Sequence, residues 1–227
     1  MWEIPRIWDG GQCIIIGGGS SIPHQFDVPI DVIEQVYKGS SSPEVYSPYM
    51  ESIHDQHIIA VNMAYTLGSW VDCAFFGDAG FLIKRQMELL EWSGLRITSA
   101  VKMEPYQGRL KVVARDDKKK LGISLEPNKI CWNHNSGAAA INLAVHFGVK
   151  RIILLGFDMK LDANNNQHWH KFYTTSLKVV PHTMKRHMMC FPTIAEDLRS
   201  IEVEIINCSP DSMIEAFPKI NFKDIKL

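Results

Sequence analysis

The residues able to do chemistry are unevenly spread along this chain. Six of its nine histidines fall between His134 and His187, and His168 and His170 flank a tryptophan in a His-Trp-His triplet. An imidazole titrates near neutral pH, so either ring can act as general base or general acid. With Asp158 and Asp162 upstream, a metal site can also be drawn. No HExxH, DxD or other recognised ligand spacing supports it, and no metal is expected. Histidines that merely decorate a polar loop are the third reading.

A second group suits an anionic or planar ligand. The run Gly17-Gly18-Gly19-Ser20-Ser21 follows the apolar stretch Gln12–Ile16. Glycines tolerate positive φ and let backbone N–H groups approach a ligand closely. The run is not a Walker A loop, since no GK[ST] follows, and Ile22 stands where the third glycine of GxGxxG belongs. A tight turn without a ligand is the plain alternative. Asn135-Ser136-Gly137 opens an apolar helix, and a helix start offers free N–H groups to a phosphate or hydroxyl. Ser136 is expected to be its N-cap. Asn62, Asp78 and Asp158 each follow an apolar run. A carboxylate or amide there can meet ribose hydroxyls, or can cap local structure only.

These residues need elements to position them. Gln12–Ile16, His57–Asn62, Val71–Gly77, Leu95–Val101, Leu110–Ala114, Ile152–Leu155 and Ile201–Asn207 read as strands. Phe81–Trp92 is an amphipathic helix closed by Gly94, and Ser136–Gly148 is apolar almost all round, as a helix buried against a sheet should be. Ile194–Ser200 reads as helical, and Ser209-Pro210-Asp211 starts a short helix to about Ala216. Alternating strands and helices predict an α/β fold, a Rossmann-like, mostly parallel sheet with helices on both faces. Its ligand edge lies beyond the carboxyl ends of the strands, where all the polar groups named above fall. Residues 160–192 break the pattern and are expected to form a long lid loop on a single domain spanning 1–227. Arg115–Lys120 reads as a solvated charge run, with a phosphate-binding patch as the minor reading.

Composition narrows the classes. Hydrophobic residues make up 46% of the 227, which excludes low-complexity disorder. No apolar run approaches the roughly 18 residues a membrane span needs, and Glu3, Pro5 and Asp9 interrupt any secretory leader. Five widely spaced cysteines without CxxC read as free buried thiols in a reducing cytoplasm, a catalytic cysteine being the lesser alternative. A net charge of −1 gives no general nucleic-acid affinity and leaves room only for a local basic groove, with Lys118–Lys120 and Lys185-Arg186 as candidates.

Taken together, IIIGGGSS at Ile14–Ser21, VNMAY at Val61–Tyr65, FFGD at Phe75–Asp78, NSGAAAINLAVHFGVKRIILLGFDM at Asn135–Met159, HWH at His168–His170 and INCSPDSMIEAFP at Ile206–Pro218 resemble a group of phage and prophage proteins. These are similar to the bacterial family-42 sialyltransferases and, more distantly, to hydroxymethylpterin diphosphokinase-like domains. The resemblance covers residues 12 to 222. It implies a glycosyltransferase that uses a nucleotide-activated sugar as co-substrate, with no metal or other cofactor. It also implies nucleotide contacts at Gly17, Gly19, Ser21, Asn62, Asp78, Ser136 and Gly137, to which the reading of the residues themselves adds Gly18, Ser20 and Asn135, and a catalytic group of Asp158 with His168 or His170 as base. The acceptor is a glycan or, in a phage setting, a hydroxymethylated base of DNA. An ATP-dependent diphosphokinase and a non-catalytic nucleotide-binding protein are the rival classes. The chain departs from the pattern in three places. Gly19-Ser20-Ser21 lacks the usual proline, Asp78 replaces an asparagine, and HWHKFY stands where phage relatives read HWHGDH. Tyr173 is the candidate for a phosphate-holding lid tyrosine.

Overall fold

The computed structural model describes residues 2–103, 106, 108–172 and 181–227. Seven strands form one parallel sheet in the order β5-β4-β3-β2-β1-β8-β9. They are β1 (Gln12–Ile16), β2 (His57–Val61), β3 (Cys73–Phe76), β4 (Leu95–Thr98), β5 (Lys111–Val112), β8 (Arg151–Leu155) and β9 (Glu204–Asn207). Two short strands, β6 (Ala114–Arg115) and β7 (Lys129–Ile130), pair separately. The α/β expectation holds, with parallel pairing throughout.

The central strands β1 and β8 are continuous apolar runs because both faces of the sheet are covered. Side-chain alternation divides the core. Cys13 and Ile15 point into one layer with the helices α4 (Ser136–Phe147) and α6 (Phe191–Ser200). Ile14 and Ile16 point into the other, with α1 (Ile22–Gln25), α2 (Ile30–Lys38) and α3 (Ala79–Glu91).

The chain leaves β1 toward β2 on one side and later places β8 on its other side. The direction of winding therefore reverses between β1 and β8, and a crevice opens beyond their carboxyl ends. The loops after these two strands are Gly17–Ser21 and Gly156–Asp158.

Several local expectations are corrected. Asn135, not Ser136, is the N-cap of α4, its side-chain oxygen accepting from the N–H groups of Gly137 (2.8 Å) and Ala138 (3.2 Å). Gly148 ends the helix as expected, in the left-handed region at φ 91°. The stretch at Leu110–Ala114 is split between two sheets, and the last strand starts at Glu204 because α6 continues to Ser200. The segment after Ser209 is a turn rather than a helix, anchored by Ser212 Oγ donating to Phe157 O (2.6 Å). Within 160–192, residues 173–180, including Tyr173, lie outside the described residues, and Pro181–Met188 is a helix, α5. The charge run is built rather than loose. Asp116 is buried and accepts from the N–H groups of Lys118 and Lys119 and from Ser124 Oγ.

Candidate functional site

The crevice between β1 and β8 is closely knit. None of Gly17, Gly18 and Gly19 lies in the left-handed region, so conformational freedom is not what demands glycine. Close approach is. A Cβ on Gly17 would stand 2.7 Å from Gly156 O, one on Gly18 2.8 Å from His168 Nδ1, and one on Gly19 2.5 Å from the Asp158 carboxylate. The groups crowding this turn belong to the chain itself.

Asp158 is the clasp. It is buried, and its two oxygens accept from Ser21 N (2.9 Å) and Ser21 Oγ (2.6 Å). Ser21 Oγ also accepts from Gln25 Nε2 (3.0 Å) and lies 3.2 Å from Ser209 Oγ. A carboxylate with two such bonds is well compensated for its burial.

The His-Trp-His triplet lies directly against this turn. Gly19 and His168 form an antiparallel bridge, Trp169 N donates to Gly18 O (3.2 Å), and the Trp169 indole N–H reaches Gly17 O (3.3 Å). Trp169 and His170 are buried, and Trp169 meets Tyr46 edge-on. The rings of His168 and His170 are parallel within 6° at 5.3 Å. Burial pushes both imidazoles below their ordinary range, His170 further because His168 and Arg85 add positive charge nearby. The Asp158 charge acts in the opposite sense on His168.

Asp78 and the start of α4 form a second group. Asp78 occupies the N-cap position of α3, yet its side chain makes no capping bond and is exposed. A Cβ on Gly77 would lie 3.1 Å from Ser136 Oγ, so the β3 end and the α4 start adjoin. The Asn135 cap already takes the Gly137 N–H, which reduces what the helix start offers a ligand. Phe157 links the two groups, since Cβ atoms on Gly17 and Gly137 would both press on its ring at 3.3 and 2.9 Å. Asn62 follows β2 in a left-handed conformation at φ 53° and is half-buried.

Three residues near this edge carry no motif. Arg115 Nε donates to Ser99 O (2.8 Å) and its Nη2 to Gly77 O (2.6 Å), with the guanidinium 3.8 Å over the Trp132 ring. His187 of α5 feels the Asp78 charge, and its carbonyl accepts from Asn135 Nδ2 (3.3 Å). Arg85 of α3 donates to Phe172 O (3.2 Å). In sequence Arg115 belongs to a charge run, Arg85 to a polar helix face and His187 to a loop, so spacing offered no signal for any of them.

A cleft of about 890 Å³ opens beside the clasp, lined among others by Ser21, Gln25, Asp158, Lys160, Ser209 and Phe222. Asn62, Asp78 and Asn135–Gly137 do not line it. The Gln25 Oε1 atom is buried there without a hydrogen-bond partner among the described residues. All five cysteines are free and buried, and burial pushes the thiols of Cys131, Cys190 and Cys208 up to about 12, which leaves them no thiolate at neutral pH. Among the described residues no group of three or more His, Cys, Asp or Glu is arranged to hold a metal ion, and no helix is long and apolar enough to cross a membrane.

This architecture has known counterparts. The fold is similar to that of the MAf glycosyltransferase from Magnetospirillum magneticum AMB-1, with a TM-score of 0.60 at 12% identity over 100% of this chain. The chain spans 36% of the length of that protein. It is also similar to the sialyltransferase CstII from Campylobacter jejuni, solved with cytidine-5'-monophosphate, with a TM-score of 0.50 at 14% identity over 94% of this chain and 86% of that one. At such identities the likeness is one of fold. No protein-family model matches the sequence, and no curated protein matches it.

Proposed function

We propose that this protein is a glycosyltransferase that takes its sugar from a nucleotide-activated donor and needs no metal. One observation carries the reading. At the point where the sheet's winding reverses, a glycine turn is hydrogen-bonded to a buried carboxylate and to His168 of a distant segment, with the His170 ring stacked beside it. The resemblance in sequence motifs and the shared fold with two glycosyltransferases support it.

In this reading the nucleoside end of the donor enters the cleft beside Ser20, Ser21 and Asp158. Asn62, Asp78 and Asn135-Ser136-Gly137 supply the remaining contacts to the nucleotide. A histidine of the triplet removes the acceptor hydroxyl's proton as the bond to the anomeric carbon forms. The bond to the donor phosphate breaks and the phosphate keeps the electron pair. The N–H groups of Gly17, Gly19 and Ser21 donate to Leu155 O, Gly156 O and Asp158, so in this reading it is the N–H groups of Gly18 and Ser20 that meet its growing charge. The segment 160–192 closes over the sugar and limits hydrolysis, as a lid on a single domain. Free buried thiols favour a reducing cytoplasm, including a bacterial host's if the protein is phage-encoded.

The acceptor is a glycan. Exposed Lys185 and Arg186 on α5, next to His187, favour the second reading, a modified base in phage DNA. Incubation with a panel of nucleotide sugars, followed by assay of nucleotide release, tests the activity. Release from at least one donor is expected, strengthened by the correct acceptor and lost in His168→Ala. Thermal stabilisation by ATP with magnesium and by no sugar nucleotide would instead identify a kinase-like protein.

A further inference from the structure

The two basic runs of the chain, Lys118–Lys120 and Lys185-Arg186, are far apart in sequence and meet in the fold. Buried Asp116 fixes the first run, accepting from the N–H groups of Lys118 and Lys119, and the Lys120 carbonyl accepts from Asn133 N at 3.1 Å. Two positions on, Asn135 Nδ2 donates to the carbonyl of His187, which follows Lys185-Arg186 in α5. Lys119 Nζ lies 2.7 Å from the Asp197 carboxylate of α6, which ties the same loop to the helix after α5. Asn133–Asn135 is therefore a bridge between the two runs. Exposed His134 stands on it, close enough to His187 for its charge to be felt there.

The positive charge on this face is not neutralised locally. Lys118, Lys120, Lys185 and Arg186 are exposed, and among the described residues they have no ion-pair partner. The neighbouring acids are already engaged. Asp116 is buried beneath its loop, Asp197 accepts from Lys119 Nζ and Ile123 N, and Asp117 lies 3.9 Å from Lys129 Nζ. Like charges gathered on one face repel one another, and a multiply charged anion relieves that repulsion. The strip also leads to the candidate site. Arg115, next to Asp116, donates to Gly77 O at 2.6 Å, and Gly77 adjoins Asp78 and Ser136.

We propose that this strip is the docking surface for the acceptor, and that the acceptor is an anionic glycan with carboxylate or phosphate groups along its length. The role of acceptor rests on the glycosyltransferase reading, whereas the affinity for an anionic glycan does not. The extent of the strip favours a glycan over nucleic acid. A DNA site commonly neutralises about 6 to 10 phosphates, more than the uncompensated cations here can meet. Exposed Asp78 also stands where the strip reaches the site. A duplex with a charge about every 1.7 Å brings phosphates against that carboxylate. A glycan whose charges are separated by neutral sugar can present an uncharged hydroxyl there.

Calorimetry of the full chain with hexagalacturonate, a phosphorylated mannan oligosaccharide, neutral maltohexaose and a short DNA duplex tests this. At least one charged glycan should bind, the tighter of the two naming the anion, with an affinity that falls as salt is raised. Maltohexaose should not bind. Lys118→Gln, Lys120→Gln, Lys185→Gln and Arg186→Gln should each weaken binding by about 2-fold to 5-fold. Lys38→Gln, on α2 in the opposite layer, should leave it unchanged. All five positions are exposed, so urea midpoints should match the wild type. Failure of both charged glycans to bind, equal binding of maltohexaose, tighter binding of the duplex, or losses no larger than that of Lys38→Gln overturns the proposal. With an active donor in hand, the Lys185→Gln, Arg186→Gln double variant should raise the KM of the charged acceptor by about 10-fold. Its kcat and its nucleotide release without acceptor should stay at the wild-type level. If the wild-type chain releases nucleotide from no donor, the glycosyltransferase reading fails by itself, and the calorimetry still decides what this surface binds.

Discussion

Two aspartates sit at strand ends on the same edge of the sheet, and the fold treats them oppositely. Asp158, beyond β8, is buried, and both its oxygens are occupied by Ser21. Asp78, beyond β3, is exposed and leaves the start of α3 uncapped by its side chain. One region is therefore framework: the Asp158 oxygens are taken up by Ser21, and its glycines leave room for the chain's own atoms. The other has an exposed carboxylate, a half-buried serine at the start of α4 and an arginine stacked on Trp132 that donates to Gly77 O. Burial with satisfied bonds gives position, and exposure without them gives reach.

The sharpest way to break this contrast is to crowd the framework. Gly19→Ala puts a methyl 2.5 Å from the Asp158 carboxylate and 2.7 Å from Gly156 O, both backed by packed strands. A loss of about 3 kcal/mol is expected in urea unfolding, at the upper end of overpacking effects. Asp158→Ala strands the Ser21 N–H and hydroxyl and should cost about 2 kcal/mol, together with a clear loss of nucleotide affinity by calorimetry.

Acid should act on the same region. The folded-state pKa values of His168 and His170 lie below 6.5, the value in the unfolded chain. The unfolded chain therefore binds more protons as the pH drops. Stability is full above about pH 6.5 and falls as the pH drops through the folded values, by up to about 1.4 kcal/mol per pH unit for each ring. His146 and His187 are shifted in the same direction and add to the slope. Urea midpoints at pH 8, 7, 6 and 5 measure it, and His168→Gln should flatten the curve.

Smaller effects belong to the second region. Asn135→Ala removes the α4 cap and should destabilise by about 1 kcal/mol. Asp78→Ala should change stability by less than about 0.5 kcal/mol while weakening donor binding or turnover. A stability loss in Asp78→Ala equal to that in Asp158→Ala would erase the distinction drawn between the two regions.

Much of this fold was legible in the chain. The β-branched runs at Ile14–Ile16 and Ile152–Leu155 announce strands buried on both faces, and Ala138–Ala144 announces a helix packed on them. The strands β1, β2, β3 and β8 lie where apolar runs predict. The less regular parts were obscured by competing local chemistry. Asn135 outcompetes Ser136 for the cap because its longer side chain reaches two N–H groups. Ser209–Ala216 carries a helix-like start but is drawn into a turn by the bond from Ser212 to Phe157. The polar spacing of 160–192 hid α5.

The site divides in the same way. The residue types Gly17–Ser21, Asp158 and His168–His170 mark themselves because unusual composition next to a buried strand is a local property. Sequence order by itself also determined the parallel sheet, since hydrophobic periodicity and connection length act along the chain. Which residues meet across it was decided only in three dimensions. Ser21 finds Asp158 across 137 positions, and His168 finds Gly18 across 150. Arg85 reaches the triplet through Phe172, 87 positions away. Burial and charge compensation depend on those meetings, so the same Asp or His can be read as ligand, clasp or base until the packing around it is known.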